Sequence, residues 1–473
     1  MSQKCTLIIP GKLGDELLAH LFPGDRDEHG AILAVGFSRS KRGIRLIARD
    51  LFLAKDGRDY LPGHRGYRML NAEFITEKIL YCSEQKLCYL AIHNHGGRNV
   101  VRFSDTDLAS HERGYPALLD INNGLPVGGL VFAENAVAGD IWLSKTERIS
   151  LDETIIVKNN FHRLYPSPIS ISTNRFNVAY DRQIRLYGEQ GQRILSGQKV
   201  GVIGAGGVGA LIIENLAGLG VGEIVTVDPD RMEKYNRRRI PYSTAFQTKD
   251  WLIRLWDGFR FLATSKVAAA KRFVKRFNNS VRVRAIFGDI TSKEVADEFK
   301  DCDFLFLAAD TMQARLMFNS LIFQYGIPGY QVGSKVSHDK DSGVILDIFS
   351  VVRPVGPSSG CMLCNGLIDS GRLQEEALSK RERDSQRYID EPDIPAPSVI
   401  TLNALGASFA VNEYMLRVVG LFKGDTAEDY MRIQSHLREV FWEEPRRDCD
   451  CPICGGSQES IRGKGDSERL PIR

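Results

Sequence analysis

At 473 residues the chain exceeds what one hydrophobic core serves, so two or three domains are expected. Its 62 basic and 59 acidic side chains leave a net charge of +3, and 43% of residues are hydrophobic. This balance gives no argument for nucleic acid or an anionic membrane as the main partner, and neither is expected. No apolar run reaches the ~18 residues of a membrane span, and Met1–Pro10 is too short and polar for a secretory signal. A cytoplasmic location follows as the expectation, where nine cysteines point to metal binding or catalysis before disulfides.

The chain opens on a strand, Cys5–Ile9, and a helical segment around Asp15–Leu21. Strand-like runs follow at Ala31–Phe37, Ile44–Phe52, Leu87–His93 and Gly128–Phe132, predicting a mixed α/β domain over residues 1–150. His93-Asn-His95 ends one of these strands, and Ser104-Asp-Thr-Asp107 follows it. His93, His95 and Asp107 can supply three ligands to a catalytic Zn²⁺ with an open fourth position, and Glu28 is a candidate general base. His111 and Glu112, on a predicted helix, read as surface.

These motifs resemble the JAB/JAMM metalloproteases, which remove ubiquitin-like proteins or trim their C-termini. The resemblance implies zinc on His93, His95 and Asp107, an oxyanion steadied by Ser104, and a proton taken by Glu28. Two departures from the family pattern stand out. Eight residues separate His95 from Ser104, one more than the common spacing, and Ala31 stands where a glycine is usual.

Residues 151–178 carry Pro166, Pro168 and several Ser and Asn, and read as a linker. From Tyr180 strands alternate with helix-length segments: Val200–Ile203, Glu223–Val227, Val281–Ile286 and Phe304–Ala308. This pattern predicts a parallel sheet with helices on its faces over residues 179–455. The first of these strands runs into Gly204-Ala-Gly206-Gly207-Val-Gly209, where glycines let backbone N–H groups approach phosphate at a helix N-terminus. Asp228 ends the next strand at the distance where a carboxylate meets ribose hydroxyls. To this point a nicotinamide-dependent dehydrogenase fits equally well. Asp230 and the cluster Asn236-Arg237-Arg238-Arg239 favour ATP instead, because Arg forks onto phosphate and carboxylates hold Mg²⁺.

With Tyr180-Asp181-Arg182-Gln183 upstream, the stretch from Tyr180 to Cys454 resembles the ThiF/MoeB and ubiquitin-activating family of ATP-dependent adenylating enzymes. The resemblance implies a Rossmann-like adenylation domain. Gly204, Gly206, Gly207 and Gly209 would form its nucleotide loop, Asp228 would hold the ribose, and Asn236, Arg239 and Lys266 would face the phosphates. Asp310 would place Mg²⁺, and Arg182 would enter the ATP site of a second copy, implying a homodimer. The segment between Arg239 and Lys266, with Trp251, Trp256 and Phe259, exceeds the usual family spacing. It reads as a partner-docking insertion or as extra packing, packing being the ordinary use of such aromatics.

Cys361-Met-Leu-Cys364 and Cys451-Pro-Ile-Cys454 have the spacing of a four-cysteine structural zinc, a staple that the resembled family shares. No cysteine lies between Cys364 and Cys449, where thioester-forming relatives carry a reactive one, and Pro395-Ala396-Pro397-Ser398 offers serine there. Residues 456–473, glycine-rich and of mixed charge, read as a flexible tail.

The sequence thus points to ATP-dependent activation of a ubiquitin-like protein, coupled to its proteolytic processing or removal, with a conjugating enzyme or sulfur donor downstream. Activation of a sulfur-carrier protein and a catalytically idle nucleotide sensor are the alternatives. A dehydrogenase leaves Asn236, Arg239, Lys266 and Asp310 unexplained.

Overall fold

The computed structural model describes residues 4–62, 68–168, 177–253, 257–339, 342, 344–377, 397–424 and 426–472. It divides into two units: residues 1–174 with 323–326 and 455–469, and the remainder.

In the first unit, strands β1 (Lys4–Pro10), β2 (Gly30–Ser40), β3 (Gly43–Leu53), β4 (Cys88–Asn94), β5 (Val127–Ala133), β6 (Ala136–Trp142), β7 (Arg148–Ser150), β8 (Glu153–Val157) and β9 (Phe161–Leu164) share one sheet. Its order is β7-β6-β5-β4-β2-β3-β1-β8-β9, with parallel pairs at β1/β3, β1/β8 and β4/β5. Helices α1 (Gly11–Leu21), α2 (Ala72–Glu84) and α3 (Asp105–Ile121) accompany it. The sheet alternates as its pleat requires. Leu33, Val35, Leu46 and Leu90 feed one core, while Ile32, Ala34 and Tyr89 feed the other with Phe74 and Leu119. Asn71 starts α2 by accepting the Phe74 N–H at 2.8 Å.

In the second unit, β10 (Lys199–Ile203), β11 (Glu223–Asp228), β12 (Arg282–Phe287), β13 (Phe304–Leu307) and β14 (Gly329–His338) pair in parallel. Strands β15 (Ile345–Val355), β16 (Tyr430–Gln434) and β17 (Glu439–Glu443) extend this sheet in antiparallel fashion. The order β12-β11-β10-β13-β14 reverses direction between β10 and β13, the place where open α/β sheets bind ligands. Both strands are buried along their whole length, as parallel strands covered on two faces are. The helices are α4 (Asp181–Gly197), α5 (Gly207–Leu219), α6 (Ala245–Thr248), α7 (Asp250–Ile253), α8 (Lys266–Phe277), α9 (Lys293–Asp297), α10 (Met312–Tyr325), α11 (Ser370–Ala377) and α12 (Ile400–Val418). None of the described helices is long and apolar enough to cross a membrane.

Two expectations need correction. The segment read as a linker supplies β8 and β9: β8 is wholly buried and parallel to β1, so its apolar run Thr154–Val157 completes the first core. The rest of that linker, residues 169–176, lies outside the described residues. Most of the tail read as flexible, residues 456–469, belongs to the first unit. Arg49, 1% exposed, donates to the carbonyls of Ser457 and Ser460 at 2.9 and 2.8 Å and to that of Arg462. Arg462 returns a bond to the Arg49 carbonyl at 2.9 Å. Gly36 makes the approach possible, since a Cβ there would lie 2.0 Å from the Gly463 carbonyl. A buried guanidinium needs acceptors and the tail backbone supplies them, so order here comes from hydrogen bonding that composition does not reveal.

Arg49→Met should therefore lower the unfolding free energy by about 3 kcal/mol, the scale of losing several charged hydrogen bonds, measured by urea titration. Glu153 yields a pH prediction. Burial raises its pKa, but Arg163 and Lys4 outweigh that and hold it down to about 2. With the folded value below the usual 4.5, its stabilisation is complete above about pH 5 and disappears as pH falls through about 2. Urea midpoints measured across that window should fall in the wild type and fall less in Glu153→Gln.

Candidate functional site

At the switch point, β10 ends in a turn that only glycine permits. Gly204 has φ +97°, and a Cβ on it would lie 2.9 Å from the Ala308 carbonyl carbon after β13. A Cβ on Gly209 would lie 1.9 Å from the Gly204 carbonyl oxygen. Gly206 caps α5 and Gly207 begins it, and a Cβ on Gly206 would meet nothing within 4 Å. Helix α5 thus begins at the switch point, and the unpaired first N–H groups and dipole of a helix favour an anion at such an end.

Asp228, at the end of β11, is buried and accepts the N–H of Ala205 at 2.7 Å and of Asp230 at 2.9 Å. Burial raises its pKa, and the Lys266 charge opposes the rise. Lys266 Nζ lies 2.6 Å from Asp230 Oδ2 and 3.6 Å from Asp228 Oδ1. Ser265 caps α8 and so aims the lysine back at β11. Arg239 comes beside the loop, its Cβ 3.6 Å from a Cβ built on Gly207. Asn236 is buried, and its Oδ1 accepts the Glu233 N–H at 2.8 Å. Asp310 is exposed, two residues beyond the Ala308 that abuts Gly204. Arg182 is exposed on α4, and no described contact joins it to the loop. Its neighbours Gln183 and Gln192 both donate to the Leu219 carbonyl at the end of α5.

Two features escaped sequence reasoning. The Asp230–Lys266 ion pair joins residues 36 apart, with no spacing to announce it. Asn403 of α12 is 1% exposed and accepts from Ser334 Oγ at 2.6 Å, with its Nδ2 2.6 Å from a Cβ built on Gly207. Asn403 is one of three buried polar side chains on this helix, with Glu413 and Arg417, and nothing in the sequence singles it out.

The long segment after Arg239 leaves and returns through a bridge between Arg231 and Ser265, closing a loop that the sheet tolerates. Trp251 is 60% exposed, which removes packing as its use. Trp256 and the Phe259 side chain lie outside the described residues.

Cys361, Cys364, Cys451 and Cys454 converge. Their sulfurs are 3.6 Å apart for Cys361–Cys364 and Cys361–Cys451, and 3.5 Å for Cys364–Cys454. Four thiolates about 2.3 Å from one tetrahedral zinc would be ~3.8 Å apart, so the donor set and its spacing fit that ion. Cys5, Cys82, Cys88 and Cys302 are buried, and burial pushes the thiols of Cys5 and Cys82 up to about 12. Cys449 is the exposed thiol. Pro395 and Ala396 lie outside the described residues, whereas Ser398 accepts from Asn403 Nδ2 at 3.1 Å.

In the first unit, β4 runs between β2 and β5, with His93 near its C-terminal end and His95 just beyond it. Their Nε2 atoms are 3.1 Å apart, and Asp107 approaches them at 3.6 and 3.5 Å. One tetrahedral ion fits these three donors, with a fourth position left open. Glu28, just before β2, lies 3.9 Å from His95, and burial raises its pKa. Burial would also raise Asp107, but the His93 ring and Ser104 hold it well below the carboxylate range. The Ser104 hydroxyl donates to Asp107 Oδ2 at 2.7 Å in a capping box that starts α3. His111 is buried, contrary to the surface expectation. It lies one turn beyond Asp107 on the inner face of α3, bonded to Asp140 at 2.8 Å and stacked on Tyr115.

Comparison with known proteins bears on the second unit. The SAMP-activating enzyme E1 of Haloferax volcanii is 31% identical over 151 residues, 32% of this chain and 51% of that protein. The sulfur carrier protein ThiS adenylyltransferase of Bacillus subtilis is 30% identical over 150 residues, 31% of this chain and 41% of that protein. The chain thus spans about half the length of these relatives or less. The crystal structure of E. coli MccB with ATP superposes with a TM-score of 0.45 at 18% identity, covering 60% of this chain and 75% of that one. Residues 180–452, more than half of the chain, match the ThiF family, and the chain belongs to that family.

Proposed function

We propose that this chain uses ATP to adenylate the C-terminal carboxylate of a ubiquitin-like or sulfur-carrier protein. The observation that carries the reading is the glycine loop at the switch point with Lys266, Asp228 and Arg239 gathered round it. The ribose would sit at Asp228, and the phosphates at the N-terminus of α5 within reach of Lys266, Arg239 and Asn236. Asp310 would hold Mg²⁺, whose charge offsets that of the phosphates when bound. A carboxylate oxygen of the protein substrate forms the new bond to the α-phosphorus, the α–β bridging bond breaks, and pyrophosphate leaves. Lys266 would exchange Asp230 for phosphate, and fixed positive charge is the chain's contribution to catalysis. Arg182 would serve the site of a second copy in a homodimer. The four-cysteine cluster would hold a structural zinc.

The sulfur-carrier route is favoured by a specific observation. Cys449 is the exposed thiol, and the sequence has no cysteine between it and Cys364 to take up the acyl group. Relatives named for a sulfur carrier and for a ubiquitin-like modifier match to a similar degree, 30% and 29% identical.

For the first unit we propose a zinc-dependent peptidase acting on the same protein substrate, before activation or after conjugation. Zinc, when bound by His93, His95 and Asp107, supplies Lewis acidity. Glu28 would take a proton from water as oxygen adds to the amide carbonyl, and return it to the leaving nitrogen as the C–N bond breaks. Ser104 would turn from Asp107 to the oxyanion.

With small proteins ending in Gly-Gly, ATP–pyrophosphate exchange should appear and drop about 100-fold in Lys266→Ala and Arg239→Ala. Exchange that is absent, or indifferent to both changes, sinks the adenylation reading. Mass spectrometry of the product then separates thiocarboxylate from isopeptide. Metal analysis tests the other two sites: His95→Ala should lose one zinc and Cys361→Ser another. Zinc content unaltered by His95→Ala would refute the peptidase centre.

A further inference from the structure

The chain takes eight residues to pass from His95 to Ser104, and they build a wall beside the histidines. This loop is pinned along its length. His95 N–H donates to the Phe132 carbonyl at 2.8 Å, Asn135 N–H to the Arg98 carbonyl at 2.7 Å, and Val101 N–H to the Pro166 carbonyl at 3.0 Å. Arg98 Nε meets Glu134 at 2.9 Å. Val101 is buried against Val131, Ala133 and Ala136. Phe103 tilts against His93 at 6.2 Å and meets His111 edge-on at 5.0 Å.

A loop held in this way borders a cavity of about 470 Å³ that runs from His95 past Val100, Arg102 and Phe103 to Ser104. That volume lies in the range that takes a drug-sized ligand or a short peptide segment. One end is a histidine of the metal-type triad. The sides are apolar, with Val100 58% exposed and so unspent on the core. Arg102 supplies the charge. Among the described residues no acidic side chain lines the cavity, and Arg98, the loop's other cation, is engaged with Glu134.

We propose that this cavity receives the peptide segment next to the scissile amide, and that Arg102 selects a segment carrying a carboxylate beside an apolar residue. The inference rests on the reading of His93, His95 and Asp107 as a peptidase centre. A guanidinium forks onto a carboxylate with two hydrogen bonds, while Val100 and Phe103 cover the apolar neighbour. The carboxylate is that of an acidic side chain or of a chain terminus, and both offer the same two oxygens. Arg102 is exposed, so its effect is a matter of a few fold.

The test uses the full-length Glu28→Gln chain, loaded with zinc, so that peptides bind without being cleaved. Fluorescence anisotropy reports the affinity of labelled peptides with one apolar core and four variations. These are an internal aspartate, an internal lysine, a free C-terminus and an amidated C-terminus. We expect a carboxylate form to bind about five-fold tighter than its uncharged or cationic counterpart, the scale of an exposed ion pair. The aspartate and C-terminal arms identify which source is recognised. Arg102→Ala should abolish the preference and Arg102→Glu should invert it, with zinc content unaltered in both. Equal affinities in all arms, or a preference that survives Arg102→Glu, overturn the proposal. If the unsubstituted chain cleaves peptides without charge preference, the peptidase reading stands and the role of Arg102 fails. Absence of both binding and cleavage fails the two together.

Discussion

The second unit is organised by one steric constraint: two strands must end within van der Waals contact of each other's backbone. Gly209 leaves no room for a side chain against the Gly204 carbonyl, and Gly204 leaves none against Ala308. Replacing either glycine would push β10 from β13 or unwind the first turn of α5. Because this contact holds, α5 begins at the switch point, and the Asp228 carboxylate is reached by the Ala205 N–H. The proposed nucleotide site is thus mostly backbone, with a few side chains delivered from separate elements. Lys266 arrives by way of the Ser265 cap and the Arg231–Ser265 bridge, which also lets a long segment leave and return without disturbing the sheet.

Two clusters of metal-type donors are built by different means, and their chemistry differs accordingly. The four cysteines come from two short turns and offer a soft, mostly buried set that closes all four tetrahedral positions. Such a set stabilises and leaves no position for substrate. The His93, His95 and Asp107 set is partly exposed and counts three donors, of which His95 lines a cavity. The same cation would be structural in one and reactive in the other. Asp107 joins its set because Ser104 fixes the first turn of α3, so one capping box both starts a helix and positions a metal-type donor.

Much of this was legible in the sequence because it is local. The glycine loop, the C-x-x-C pairs, His93-x-His95 and the Ser104–Asp107 box each lie within a few residues. Their geometry follows from strand, turn and helix dimensions alone. The alternation of apolar strands with helix-length segments likewise identified the parallel sheet of the second unit. Residues that act through long-range contacts were not legible. Asp230 and Lys266, Asn403 against Gly207, and Arg49 against the tail join positions whose separation carries no pattern. His111 was misjudged because a histidine after an acidic helix start looks solvated until Asp140 is brought beneath it.

The sequence by itself pointed to the family, to the glycine loop proposed to hold phosphate and to both sets of metal-type donors, since each depends on residue type and short spacing. Only the tertiary structure decided which groups are spent and which are free. It committed Gln183 and Gln192 to the end of α5 and Lys266 to Asp230, turned a glycine-rich tail into an ordered strap, and left Val100 and Arg102 facing a cavity. The reason is physical. A buried charge or amide must find its partner wherever the fold places one, and that place is set by how sheets and loops close in three dimensions.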